Sequence, residues 1–146
     1  MALWQISFFI IPKDEFESHI QLYKNEDGLF DNTDYWKENV DPLIFKSLDV
    51  FLPKVKSWSD NIIQYGTLDS NVFEIRIEDN LIESVSFRIN FTSDYEGVLR
   101  EIIRLCIINS LVILTADLKL MPLNFEIINT YVQQSPQVFK YNSFLN

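Results

Sequence analysis

Cysteine and histidine occur once each in this chain of 146 residues, as Cys106 and His19, and glycine only three times. One cysteine cannot build an intrachain disulfide framework, and one cysteine with one histidine cannot supply a Cys/His zinc site or an all-Cys cluster. Gly28, Gly66 and Gly97 are too scattered to write a phosphate-cradling loop or a dinucleotide fingerprint. Positive charge is scarce too: 12 Lys and Arg stand against 21 Asp and Glu, a net charge of −9 with His19 neutral. Such a molecule repels phosphate backbones and anionic head groups at long range, so neither nucleic acid nor a membrane surface is an expected partner. Long apolar runs are missing. The stretch Leu105 to Ala116 is interrupted by Asn109 and Ser110 and is roughly half of the ~20 residues a membrane helix needs. The run Met1 to Ile11 carries no basic n-region and no small-residue cleavage site, and reads as a first strand. A lone Cys106 fits a reducing interior, so the expected compartment is the cytoplasm.

What is present is material for a core. Hydrophobic residues make up 47% of the chain and aromatics 14%, enough for one sizeable domain rather than a disordered segment. Phe73, Ile75 and Ile77 alternate with Glu74, Arg76 and Glu78; past Asp79-Asn80, a two-residue hairpin signal, Val85, Phe87, Ile89 and Phe91 alternate with Ser84, Ser86, Arg88 and Asn90. Ile82 and Glu83 break the alternation beside the turn, where a bulge or fraying is expected. With a strand over 62–68 this makes an antiparallel meander, apolar on one face and wet on the other. Helical spacing predicts helices over 13–23, behind Pro12, and over 41–52, where Asp41-Pro42 supplies a cap and Ile44, Leu48, Phe51 and Leu52 a buried stripe. A short helix at 34–38 fits the connection between them.

Ser93 and Glu96 stand in the relation of a capping box before a largely buried helix ending near Asn109, with Glu96 and Arg100 placed as an ion pair. This helix is expected to cover the meander's apolar face. A strand over 111–115 follows, then a helix opened by Pro122 and ended by Ser135-Pro136, then a tail too apolar to dangle free. No repeat, low-complexity tract or Gly/Ser linker interrupts the chain. The expectation is a single α+β domain over 1–146, an antiparallel sheet of about five strands packed on one face by helices.

No catalytic constellation can be assembled from these residues. His19 has Glu15 one helical turn away as an orienting carboxylate, but no nucleophile or oxyanion device accompanies it. Cys106 sits among Ile102, Ile103 and Ile107, surroundings that keep a thiol inert. Placing Gly28 at the glycine of a calcium loop puts Tyr23 at the first ligand position and Asp34 at the last, which rules that loop out. No cofactor and no metal are expected.

The informative inhomogeneity is electrostatic. Between Asp14 and Asp41 nine acids face only Lys24 and Lys37, a net −7 of the molecule's −9, interleaved with Tyr23, Phe30, Tyr35 and Trp36. An acidic field studded with aromatics both steers and anchors a basic protein partner, and Glu26, Asp27, Asp31, Asp34, Tyr35, Trp36 and Glu38 are its candidate contacts. The plainer alternative is a solvated connection whose aromatics dock on the core. Arg76 and Arg88 on the polar side of the meander either pair with Glu74, Glu78 and Glu83 or, with His19, form an anionic-ligand site in a cleft. A homo-oligomeric structural role through an exposed strand edge is the third possibility.

Trp58, Tyr65-Gly66 with Asp69 and Asn71, Arg88-Ile89-Asn90, the capped helix and the terminal Ser135, Phe139 and Phe144-Leu145 follow one another in an order that resembles small bacterial α+β proteins, among them immunity proteins of polymorphic toxin systems. The resemblance covers about the last two-thirds of the chain. It implies a cytoplasmic, non-enzymatic protein that neutralises a cognate toxin, and it transfers no functional residue.

Overall fold

Side chains that alternate inward and outward along a strand make rows across a sheet, and four aromatic residues form one such row here. Tyr65, Phe73, Phe87 and Phe8 are successive register partners, with ring centroids 6.5, 6.0 and 4.9 Å apart. The computed structural model describes residues 4–18 and 35–145. Its elements are β1 (Gln5–Pro12), α1 (Lys13–Ser18), a 3-10 helix (Pro42–Val50), β2 (Lys54–Val55), β3 (Ile62–Gly66), β4 (Val72–Glu78), β5 (Leu81–Asn90), α2 (Glu96–Ile108), β6 (Leu111–Thr115), β7 (Leu120–Met121), α3 (Phe125–Gln133) and α4 (Pro136–Leu145).

The protein is α+β, and its sheet is antiparallel with the order β2-β3-β4-β5-β1-β6-β7. That is seven strands rather than about five. The additional pair, β2 and β7, has two residues each, too short for any period to show in sequence. The meander forms as expected. Asp79 and Asn80 both adopt positive φ, 53° and 64°, the geometry of a type I′ hairpin turn. The register then slips: Arg76 faces Ser84 while Ile77 faces Ile82, so Glu83 is the extra residue of a bulge. Strand β3 stops at Gly66, whose φ of +83° ends the extended backbone two residues before the expected limit.

Phe8, Phe45, Phe73, Phe87, Leu99 and Ile102 lie in one core between the sheet, the 3-10 helix and α2. The segment expected as an α-helix over 41–52 is a 3-10 helix over 42–50, with Asp41 accepting from Leu43 N at 2.9 Å. Its fully buried residues, Phe45 and Leu48, are three apart, matching a tighter helix of three residues per turn. The meander's apolar face is therefore shared: Phe45 packs against Phe73 with tilted rings 4.9 Å apart, and α2 lies against β6 and the 3-10 helix.

The other face is not uniformly wet. At the β1–β6 end Ile11, Val112, Leu114 and Tyr35 form a second small core, with Phe9 and Phe16 packed on it, so the sheet is covered on both sides there. The expected helix over 13–23 is described only to Ser18. Of the short helix expected at 34–38, Asp34 lies outside the described residues, Tyr35 has 3-10 conformation and residues 36–38 carry no helix.

The capping box does not form. Ser93 Oγ donates to Asn90 O at 2.7 Å and accepts from Asn71 Nδ2 at 2.8 Å, while Tyr95 precedes the first turn of α2 without a side-chain cap. Glu96 bonds Arg100 at 3.0 Å as expected. Asn124, not Pro122, begins α3, accepting from Ile127 N at 3.1 Å. Ser135-Pro136 ends α3 as expected and also opens a further helix, with Ser135 Oγ accepting from Val138 N at 3.3 Å to start α4. The tail packs back in part: Tyr141 meets Trp4 at 5.0 Å, while Phe139, Phe144 and Leu145 stay exposed.

Candidate functional site

Acidic side chains gather at one end of the sheet, around the β4–β5 turn. The hairpin tip carries Glu78 and Asp79, the bulge adds Glu83, and the irregular stretch after Trp36 brings Glu38 and Asn39 against them. Two hydrogen bonds fix that stretch. Ile82 N donates to Val40 O at 2.9 Å, and Trp36 Nε1 donates to Ile10 O at 3.1 Å. The walls enclose an open cleft of about 400 Å³ whose charged lining, among the described residues, consists of four carboxylates with no Lys, Arg or His.

Trp36 and Glu38 also line a smaller cavity of about 120 Å³ on their other side, where Asp14 and Glu15 meet Asn109 and the start of β6. The two cavities share Trp36 and Glu38 in their walls and together make up the acidic groove. Lys37 is the base beside it, 3.7 Å from Glu15 and largely in solvent, where such a pair contributes little. Among the described residues, the carboxylates of Glu38, Glu78, Asp79 and Glu83 line the larger cleft without a cation in its wall, and they leave a local negative potential beside Trp36 and Ile82. They do not form a metal centre: among the described residues no group of three or more His, Cys, Asp and Glu could hold an ion.

Of the residues expected to contact a partner, Glu38 is exposed and lines both cavities. Tyr35 and Trp36 are 7% and 6% exposed, and their rings serve the second core and the first, leaving the groove to be read by charge rather than by aromatic anchors. Glu26, Asp27, Asp31, Asp34 and His19 lie outside the described residues. Glu78, Asp79 and Glu83 were missed as site residues. Their spacing around one hairpin turn was visible, but only the approach of Glu38 turns them into a groove.

Of the expected anionic-ligand site only Arg76 and Arg88 lie among the described residues. Arg88 Nη2 bonds Glu74 Oε1 at 3.2 Å in a half-buried pair, so its charge is met within the sheet. Arg76 faces Ser84 while Arg88 faces Val72, four residues further along β4, which is roughly 13 Å. Cys106 is fully buried, and burial pushes its thiol far above the ordinary range. Fold and site together define an α+β protein with a seven-stranded antiparallel sheet and an acid-walled groove at one end. No family model, curated protein or solved structure matches the chain. Among the described residues no helix is long and apolar enough to cross a membrane.

Proposed function

We propose that this chain is a non-enzymatic, cytoplasmic binding protein that engages a positively charged protein through the acidic groove, in the manner of a toxin-neutralising immunity protein. The observation that carries the reading is the cleft of about 400 Å³ lined by Glu38, Glu78, Asp79 and Glu83 without a cation. Complementary charge speeds diffusional encounter and rejects acidic competitors, and a groove of this size accepts Lys or Arg side chains of a docking loop.

The test uses the basic products of reading frames adjacent to this one, each mixed with the chain in a stopped-flow association experiment at several salt concentrations. The partner associates more slowly with the Glu78→Lys, Glu83→Lys double variant, and its rate depends less steeply on salt. A partner whose association rate ignores both substitutions docks elsewhere, and the groove loses its assigned role.

A further inference from the structure

A second cleft, of about 460 Å³, lies at the opposite end of β1 and shares no residue with the acidic groove. It exists because pairing between β1 and β6 stops at Phe8 and Thr115. Past that point the chain turns away, with Leu118 N donating to Thr115 O and Thr115 N to Lys119 O, both at 2.9 Å. The junction between α3 and α4 then supplies the facing wall.

The polar groups in this cleft have unused capacity. Ser135 is buried at 7% exposure; its Oγ accepts from Val138 N, and its hydroxyl hydrogen meets no acceptor among the described residues. The side-chain amides of Gln134 and Gln137 make no hydrogen bond among the described residues, and Asp117 has no ion pair there. Tyr131, edge-on to Phe8 at 5.8 Å, lies close enough to Asp117 that the carboxylate adds to burial in raising its phenol above the usual range. Ile6, Ala116 and Pro136 complete the wall with apolar surface.

We propose that this cleft binds a small neutral saccharide. An anionic ligand would meet Asp117 with no Lys, Arg or His in the lining to offset it, and a single carboxylate is too few oxygens for a hard cation. Neighbouring sugar hydroxyls both donate and accept. They suit a carboxylate that only accepts, two amides that do both and the Ser135 hydroxyl that donates, while the C–H face of the ring lies on Ile6 and Pro136.

The full-length ¹⁵N-labelled chain is titrated with methyl glucoside, methyl galactoside, methyl mannoside and maltose, with glucuronate and glycerol as comparisons. At least one neutral sugar gives saturable shifts confined to the amides of residues 116–118, 134, 135 and 137. Glucuronate binds about tenfold more weakly and glycerol gives no saturation. Asp117→Asn and Gln137→Ala alter partly or fully exposed positions, keep the melting temperature, and each weaken the sugar by about fivefold to tenfold. The proposal is overturned by no saturable response to any of the four sugars, by equal affinity for glucuronate, or by binding that survives both variants. None of those results bears on the acidic groove, which is read by association kinetics with a protein.

Discussion

Three buried or half-buried groups set how the molecule responds to alkali. Cys106 is raised by burial, Tyr65 by burial and then by Asp49, and Tyr131 by burial and then by Asp117, against a lowering bond from Thr115. Each is neutral when protonated. Above the ordinary thiol and phenol values, about 8.5 and about 10, the unfolded chain has released these protons while the folded chain still holds them. Stability is thus fully present below about pH 8 and falls as pH rises past the unfolded values. Urea midpoints measured across that range should be flat and then decline, and Cys106→Ala should shrink the decline. The same burial predicts that a thiol reagent leaves Cys106 untouched in the native protein and modifies it after denaturation. At Phe87, stacked between Phe8 and Phe73, truncation to Ala removes the middle of the aromatic row. A loss of about 3–5 kcal/mol in equilibrium unfolding is expected.

Elements in this chain are decided by how neighbours use a shared residue. Ser93 illustrates it: read locally it caps α2, yet in the fold its hydroxyl joins Asn71 and Asn90, and Asn71 Oδ1 accepts from Asn90 N at 2.8 Å. A double-mutant cycle separates the two roles. Ser93→Ala and Asn71→Ala should couple by about 0.5–3 kcal/mol, whereas Ser93→Ala and Glu96→Ala should be additive. Gly66 is fixed in a similar way: its φ is +83°, and a Cβ there would come within 2.1 Å of Asn71 O. Gly66→Ala should lower the urea midpoint by a loss of at least about 1–3 kcal/mol, since the strain falls on backbone that cannot step aside. The meander, the type I′ turn, the bulge at Glu83 and the Glu96–Arg100 pair were all legible from spacing. The 3-10 geometry over 42–50 was not, because Asp41-Pro42 caps either helix type and only the packing of Phe45 on Phe73 selects the tighter one. Ser135-Pro136 was legible as a break; that it also starts α4 follows from Ser135 receiving Val138 N.

At the scale of the whole molecule, β1 joins two unlike ends. It has eight residues, which makes it roughly 23 Å long. The acidic groove lies by Pro12 and the polar cleft that holds Asp117 by Gln5 to Ser7. With a net charge of −9, part of it packed into one groove, the folded state works against its own repulsion. Added salt should raise the melting temperature. The Glu78→Lys, Glu83→Lys variant should melt higher than the parent at low salt while binding a basic partner more slowly, a trade between stability and function that calorimetry and kinetics measure separately.

Composition and period alone determined that this is an acidic α+β protein with a meander at its centre, because net charge and side-chain alternation depend only on residue order. They also placed Glu38 in a surface of unusual negative charge. Tertiary structure decided the rest. It inserted β1 between β5 and β6, buried Tyr35 and Trp36, matched Arg88 with Glu74, and brought Glu38 to Glu78, Asp79 and Glu83 from some forty residues away along the chain. A groove is a property of surfaces that meet, and which surfaces meet is set by long-range strand pairing and core packing, interactions that no local window of sequence contains.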